Sequence, residues 1–307
     1  MPWRPTLNGT GASEAWSPGD GPPVNLRIRS LSAAILLPLT MGAAWLGGSW
    51  FLAFLALAAA LGAIEFYGLV SRSGGHPMAL AGAAGAVLFV TRTDLQEPSL
   101  ASLLLLALAA FTLLRHLQFR HREIRVLQRL NQKLTYLYLA WHNSLLDWGW
   151  TLLGMGYCGW LLSRLAALRL QPDGREWVLL ALFATFALDT SSFFIGRRWG
   201  RHALAPRVSP HKTWEGAIGG LFGAVAASLA LGAFFELPAG PGHLLALGVL
   251  IGVAGQIGDL AESWLKRRAG AKDSGSLIPG HGGVLDRLDS LLFASFVVYY
   301  YVVWVIL

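Results

Sequence analysis

The chain reads as all-α: a polytopic integral membrane bundle of about nine transmembrane helices. Three observations predict that class. The 307 residues are 54% hydrophobic and only 13% charged, and the mean hydropathy of +0.51 lies well outside the range of soluble domains. Apolar stretches of roughly 18–22 residues recur, and at about 1.5 Å per residue each can cross a hydrocarbon core of about 30 Å. The stretches are continuously apolar rather than alternating, which argues against a β-barrel, and backbone groups in lipid must be satisfied within the segment, which requires helices.

Taken in order, residues 1–29 form a Pro-, Gly- and Ser-rich tail without the apolar core of a signal peptide, expected to be disordered and cytoplasmic. The N-terminal helices occupy 30–115, with spans at 31–48, 50–70, 77–92 and 98–115. Residues 116–147 do not span. Leu127, Leu130, Leu134, Leu137 and Trp141 recur at helical spacing, with Arg122, Arg125, Arg129 and Lys133 on other faces. That pattern suits an amphipathic helix on an anionic leaflet, and equally a helix packed on the protein itself or a homodimer contact. The remaining spans, at 148–167, 177–196, 214–235, 243–262 and 289–307, make up a C-terminal catalytic membrane domain over 148–307. Gly216 with Gly220, Gly219 with Gly223 and Gly248 with Gly252 are small-residue pairs that predict close helix packing.

The formal net charge is +7, and its distribution follows the membrane. Arg27 and Arg29 precede the first span, Arg72 follows the second, Arg115 to Lys133 the fourth, Arg197 to Lys212 the sixth and Lys266 to Lys272 the eighth. Only Arg92, Arg164, Arg169 and Arg175 fall on the other side. A cytoplasmic N-terminus with nine spans satisfies the positive-inside rule, so the basic balance needs no nucleic acid. Cys158 is the only cysteine, so no disulfide forms within the chain. Trp45, Trp50, Trp148, Trp150, Trp177, Trp214 and Trp264 fall near span ends, where interfacial anchoring accounts for them.

The residues that carry chemistry concentrate in the second half. Ionisable groups at membrane depth are costly and usually functional. Asp189 lies about two turns before the cytoplasmic end of its span. Asp259 and Glu262, three apart, share a helix face near the end of theirs, with Ser263 and Lys266 extending it. Asp286 and Asp289, also three apart, open the last span. The five acids therefore converge at one depth near the cytoplasmic surface. Two or three carboxylates with substrate phosphate oxygens are what a hydrated magnesium ion takes.

Two connections bring counter-charge. Ser209 to Gly216, SPHKTWEG, places Ser209, Lys212 and Thr213 before a helix N-terminus, where hydroxyl and ammonium donors suit a phosphate. The stretch from Ser263 to Asp289 packs Lys266, Arg267, Lys272, Asp273, His281 and Arg287 among the acids, and His281-Gly282-Gly283 allows a tight turn with close approach to a ligand. Nucleophile-elbow, P-loop and zinc-protease motifs are absent. In the first half, Glu65 is the one notable internal acid.

At these residues the chain resembles the phosphatidate cytidylyltransferases, or CDP-diacylglycerol synthases. The resemblance runs through Gly258-Asp259-Leu260-Ala261-Glu262-Ser263, Lys266-Arg267, Lys272-Asp273, Pro279, His281-Gly282-Gly283, Asp286-Arg287 and Asp289, together with Ser209 to Gly216 and Asp189 ahead of Gly196 and Gly200. It is specific from about residue 150 onward and general before that.

The resemblance implies an enzyme that joins CTP to phosphatidic acid, releasing pyrophosphate, in a helical bundle whose polar, metal-containing cavity opens to cytoplasm and lipid. It assigns magnesium, with or without a second, monovalent cation, to Asp259 and Asp286, with Asp189 beside them. Lys266, Asp289 and His281 join Asp259 and Asp286 as catalytic candidates, and Ser209, Lys212, Thr213, Arg267, Lys272, Asp273 and Arg287 as substrate-binding ones. The 116–147 segment is longer and more basic than the family pattern, which leaves another lipid acceptor open. A transporter is the alternative from a different class, but the two halves carry no matching broken helices.

Overall fold

The computed structural model describes residues 26–92, 112 and 145–307. Helices dominate them. The N-terminal group is α1 (Leu26–Leu46), α2 (Gly48–Arg72) and α3 (Ala79–Thr91). A helix over 145–154 runs through a π-helical turn, Met155–Trp160, into α4 (Leu161–Arg169). Then follow α5 (Gly174–Trp199), strands β1 (Ala203–Ala205) and β2 (Ser209–Thr213), α6 (Trp214–Phe234), α7 (Pro241–Arg268) and α8 (Leu285–Tyr301), the last continued by a second π turn, Val302–Ile306.

Five helices are long and apolar enough to cross a membrane: Gly48–Arg72, Gly174–Trp199, Trp214–Phe234, Pro241–Arg268 and Leu285–Ile306. Ala34–Leu46 and Ala79–Thr91 are shorter apolar helices. The expected span at 98–115 lies outside the described residues apart from Thr112. So does the amphipathic segment at 116–147, apart from its last three residues, which are helical. The described residues therefore support a helical membrane protein without establishing nine spans.

The all-α expectation is corrected at one place. The connection after α5 folds as an antiparallel hairpin, with Ala203 paired to Thr213 and Ala205 to Ser209. Ala205-Pro206-Arg207-Val208 makes its turn, closed by the Val208 amide on the Ala205 carbonyl at 3.0 Å. Proline pre-sets the backbone for the second position of such a turn. Glu215 closes the open end, accepting from the amides of Arg201 and His202 and pairing with His202 Nδ1 at 2.6 Å. Trp177 is a second correction. It is fully buried in the core rather than placed at an interface, whereas Trp45, Trp50, Trp214 and Trp264 are exposed.

Glycines set how close the helices of the second half come. Gly216, Gly219, Gly220 and Gly223 of α6 all face α5, and a β-carbon at Gly216 would stand 3.1 Å from Gly196 Cα. Gly248 and Gly252 of α7 face Val225 and Leu221 of α6. Gly255 and Gly258 admit Ser290 and the Asp289 backbone of α8. Small residues let backbones approach where lipid offers no hydrophobic drive for association. The α7 helix ends in a Schellman turn. Gly270 adopts φ +64, its amide bonds the Arg267 carbonyl at 3.1 Å, and the Ala271 amide bonds the Lys266 carbonyl at 2.9 Å.

Contacts between the halves are specific. Tyr67 donates to the Thr151 carbonyl at 2.7 Å, Arg169 to the Ala44 carbonyl at 3.2 Å, and Asp147 accepts the His76 amide at 2.7 Å.

The glycine packing makes a test of opposite signs. A β-carbon at Gly248 would sit 2.5 Å from Val225 Cα, while one at Gly242 meets nothing within 4 Å. Gly248→Ala should destabilise by about 1–3 kcal/mol through overpacking, and Gly242→Ala should be neutral or slightly stabilising, since alanine suits a helix better. Melting temperatures of the two variants in the same detergent check the difference.

Candidate active site

Four helices and the hairpin enclose a cavity of about 600 Å³. From α5 come Asp189, Ser192, Gly196 and Arg197, the first three spaced about one turn apart. From β2 come His211, Lys212 and Thr213, from α6 Gly216 and Ala217, from α7 Gln256 and Asp259, and from α8 Asp286, Arg287, Asp289 and Ser290. The close packing of α5, α6, α7 and α8 brings these side chains into one chamber from positions up to about a hundred residues apart in sequence.

Local structure sets each position. Thr213 caps α6, its hydroxyl accepting the Gly216 amide at 3.1 Å, so the hairpin ends where the helix begins and Lys212 points inward from the last strand residue but one. Lys212 is ion-paired with Asp259, and both side chains are 28% exposed. Gln256, one turn before Asp259, is anchored by donating to the Ala217 and Gly252 carbonyls at 3.1 and 2.9 Å. Ser290 donates to Asp189 Oδ1 at 3.2 Å, and its amide donates to Asp289 Oδ1 at 2.7 Å. Asp189, Asp259 and Asp289 repel one another through space.

Beneath the chamber lies a tighter charge group. Lys266 Nζ stands 2.6 Å from Asp286 Oδ1 and 3.0 Å from Glu262 Oε2. The side chains of Glu262 and Asp286 are 0% and 5% exposed. Asp286 Oδ2 accepts the Ser274 amide, the Ser274 hydroxyl and the Gly283 amide, each at 2.8 Å. Glu262 Oε1 is buried with no hydrogen-bond partner among the described residues.

The structure gathers some sequence candidates and separates others. Asp189, Lys212, Thr213, Asp259, Asp286, Arg287 and Asp289 line the chamber, and Lys266 reaches it through Asp286. Ser209, Arg267, Lys272, Asp273 and His281 are outside its lining. Arg267 instead braces the hairpin, donating to the Val208 carbonyl at 3.1 Å and the Ala271 carbonyl at 3.3 Å. Asp273 lies against the Gly282 turn. His281 sits in the expected tight turn, where its amide bonds the Ile278 carbonyl at 2.9 Å and Gly280 and Gly282 adopt φ +76 and +82.

Arg197, Ser192, His211 and Gln256 line the chamber without having been singled out as site residues. His211 stands inside the SPHKTWEG run, and Ser192 continues the Asp189 face, so helical spacing alone could have suggested it. Tyr157 carried no such signal. It sits in the π-helical turn, wedged against Phe66 and Phe293 at ring separations of 5.7 and 6.0 Å, and its hydroxyl is buried without a hydrogen-bond partner among the described residues. π turns often mark functional positions, but an apolar run does not announce them.

The donor set suits a hard, hydrated cation. The candidates are carboxylate oxygens and hydroxyls, and among the described residues no three His, Cys, Asp or Glu side chains stand close enough to grip one ion. An ion here would draw on one or two carboxylates and complete its shell with water and phosphate oxygens, as magnesium does. Among the described residues Asp259 has only Lys212 as an ion-pair partner, while Asp286 has one oxygen fully engaged and the other against Lys266.

A family model described as the cytidylyltransferase family matches residues 27–305. A phosphatidate cytidylyltransferase of Brucella abortus biovar 1 (strain 9-941) is 45% identical over 152 residues, covering 49% of this chain and 56% of that protein. One from Staphylococcus aureus (strain COL) is 37% identical over 150 residues, 49% of this chain and 57% of that protein. The uncharacterized protein YnbB of Escherichia coli (strain K12) is 40% identical over 161 residues, 52% of this chain and 53% of that protein. The chain thus matches a little over half the length of these curated relatives.

The two lysines should separate stability from function. Lys266→Met leaves the buried Glu262 and Asp286 side chains without their cationic partner and should cost about 3–5 kcal/mol. Lys212→Met removes a partly exposed cation from the chamber wall and should cost much less, lowering the melting temperature only slightly. Thermal unfolding of both variants checks the contrast.

Proposed function

The chain belongs to the cytidylyltransferase family, and from that premise we propose that it transfers CMP from CTP to phosphatidic acid, forming CDP-diacylglycerol and pyrophosphate. One observation supports this above the others: a single chamber among membrane-spanning helices holds Lys212, Arg197 and Arg287 opposite Asp189, Asp259, Asp286 and Asp289. Cations that hold phosphates and carboxylates that hold a phosphate-bound metal are the two requirements of polyphosphate chemistry at a bilayer. The named relatives act on the same substrate, phosphatidate.

The reaction joins a phosphate oxygen of phosphatidic acid to the α-phosphorus of CTP and breaks the bond from that phosphorus to the bridging oxygen of the leaving pyrophosphate. The acceptor phosphomonoester has a second pKa of about 6, so it is largely ionised near neutral pH and needs no strong general base. Catalysis is then positioning and charge neutralisation. Lys212 exchanges Asp259 for a triphosphate oxygen as CTP enters, which frees the Asp259 carboxylate. Arg287 and Arg197 hold further phosphate oxygens from α8 and α5. Lys266 holds Asp286 in place at the chamber, and Ser290 orients Asp189. Arg267 braces the hairpin wall from α7. Magnesium would supply positive charge at the phosphate oxygens, drawing on one or two of the carboxylates Asp259, Asp286 and Asp189 and otherwise on water and phosphate oxygens.

Our reading of the Lys and Arg distribution is that the N-terminus and the 197–213 and 263–288 connections are cytoplasmic, so that the chamber would open on the side where CTP is available.

Purified protein with CTP, magnesium and phosphatidic acid should release pyrophosphate and yield CDP-diacylglycerol. Folded protein that forms product with none of a panel of phospholipid acceptors would overturn the reading, and product from another lipid alone would move the acceptor. Asp259→Asn should lower kcat by about two orders of magnitude, the scale of one lost preorganised charge contact, with little change in melting temperature. Asp286→Asn should lower both, because that carboxylate is bonded to Lys266, Ser274 and Gly283. For orientation, Ser209→Cys and Gly240→Cys in a Cys158→Ala background should label from opposite sides of sealed vesicles. Labelling of both from one side would refute the topology.

A further inference from the structure

Glu65, the one internal acid of the first half, takes no part in the chamber. It stands on α2 against the loop that carries the His-Gly-Gly turn. Its Oε1 accepts the Val284 amide at 3.0 Å, and its Oε2 accepts the Leu285 amide at 2.8 Å and the Ser274 hydroxyl at 3.0 Å. Val284 and Leu285 begin α8, where backbone amides lack partners within the helix. The α8 start has no capping side chain of its own. Glu65 therefore caps α8 from another helix, 219 residues away for the Val284 contact, and sets a negative charge at the positive end of the helix dipole.

The fit between acid and loop is close. A β-carbon at Gly275 would stand 2.6 Å from Glu65 Oε1, and one at Gly283 would overlap both Glu65 Oε2 and the Ser274 hydroxyl. These two positions exclude side chains because the carboxylate occupies the space. Ser274 then links the cap to the chamber. Its hydroxyl lies within hydrogen-bond distance of Glu65 Oε2 and, at 2.8 Å, of Asp286 Oδ2. One hydroxyl has one proton to donate, so the two carboxylates compete for it and the position of each depends on the other. Asp286 continues to Lys266 and Glu262. A hydrogen-bonded line thus runs from α2 to a carboxylate of the chamber.

We infer that Glu65 is a positioning residue for the cytidylyl transfer proposed above: it clamps the start of α8 and the 274–283 loop onto α2, so that the Asp286 carboxylate, held on one oxygen by Ser274 and Gly283 and on the other by Lys266, keeps its place in the chamber wall. Charge-assisted bonds to backbone amides are the strong kind. Glutamine in its place offers one acceptor and turns an amide donor toward a backbone amide donor. Aspartate keeps the charge but is one methylene too short to reach both amides.

The test compares wild type with Glu65→Gln, Glu65→Asp, Ser274→Ala and the Glu65→Gln/Ser274→Ala pair. Glu65→Gln should lower kcat roughly 10- to 100-fold, the range expected from losing one or two charge-assisted hydrogen bonds. The KM for phosphatidic acid should stay unchanged, the magnesium needed for half-maximal rate should rise, and amides of 273–287 should exchange hydrogen faster while those of α5 and α6 do not. Ser274→Ala should cost little further in the Glu65→Gln background, because both changes cut the same line. Glu65→Asp keeps the charge and gives the same reading should the glutamine variant fold poorly.

Wild-type kcat and wild-type exchange over 273–287 in a folded Glu65 variant would overturn the inference. So would activity lost only in proportion to lost folded protein, or losses from the two sites that simply add. The exchange measurement needs no turnover. A wild type that makes no product would count against the cytidylyl reading, while loosening of 273–287 by Glu65→Gln would still uphold the clamp.

Discussion

A buried ammonium between two buried carboxylates organises the catalytic half of this protein. Lys266 meets Glu262 one helical turn away on α7 and Asp286 at the start of α8. None of the three would be tolerated alone at this depth, since an unpaired charge in a low dielectric costs several kcal/mol even after relaxation. Together they join α7 to α8 at one register. The Asp286 carboxylate then gathers Ser274 and Gly283 from the intervening loop, so a stretch of backbone without regular structure acquires a defined path. Asp259 lies three residues before Glu262, and Asp289 three after Asp286. Both are carried into the chamber by helices whose register that pair has set.

Helices could not bring these charges together without glycine. The backbones of α5, α6, α7 and α8 approach closely wherever Gly216, Gly220, Gly248, Gly255 and Gly258 face a neighbour. In lipid there is no hydrophobic gain from helix association, so close van der Waals packing and polar contacts across the interface carry the assembly. The chamber lies where those close-packed backbones diverge at the hairpin. Its walls alternate in sign: Lys212 faces Asp259, and Arg287 stands beside Asp286 and Asp289 on α8. A triphosphate entering such a site exchanges protein ion pairs for ion pairs with the ligand, so few charges have to be stripped of partners during binding.

Much of this was legible without coordinates because membrane helices write their length and polarity directly into sequence. Five of the expected spans fall on helices of sufficient length and apolarity. Asp189, Asp259, Glu262, Asp286 and Asp289 were read at one depth from the apolar spans and the Lys and Arg distribution, and four of them line one chamber while Glu262 lies just beneath it. The small-residue pairs of α6 and α7 do face neighbouring helices. The hairpin after α5 was not foreseen, since strands of three and five residues are too short for alternation to show. Trp177 was read as an interfacial anchor because it stands near a span end, yet the contacts around it bury it completely. Residence near a span end and exposure to lipid are different properties, and only packing decides the second.

The sequence by itself determined five long apolar helices, their approximate limits and the family to which the chain belongs. Each of these follows from local composition or from a contiguous motif. The tertiary structure alone decided which charges meet. Arg267 and Lys266 are neighbours in the chain, yet successive residues on a helix point about 100° apart. One braces the hairpin and the other holds Asp286. Glu65 shows the same separation over a longer distance. Nothing near it in sequence names a partner, because its three donors, Ser274, Val284 and Leu285, come from the far end of the chain and reach it only once α2 is packed against the start of α8.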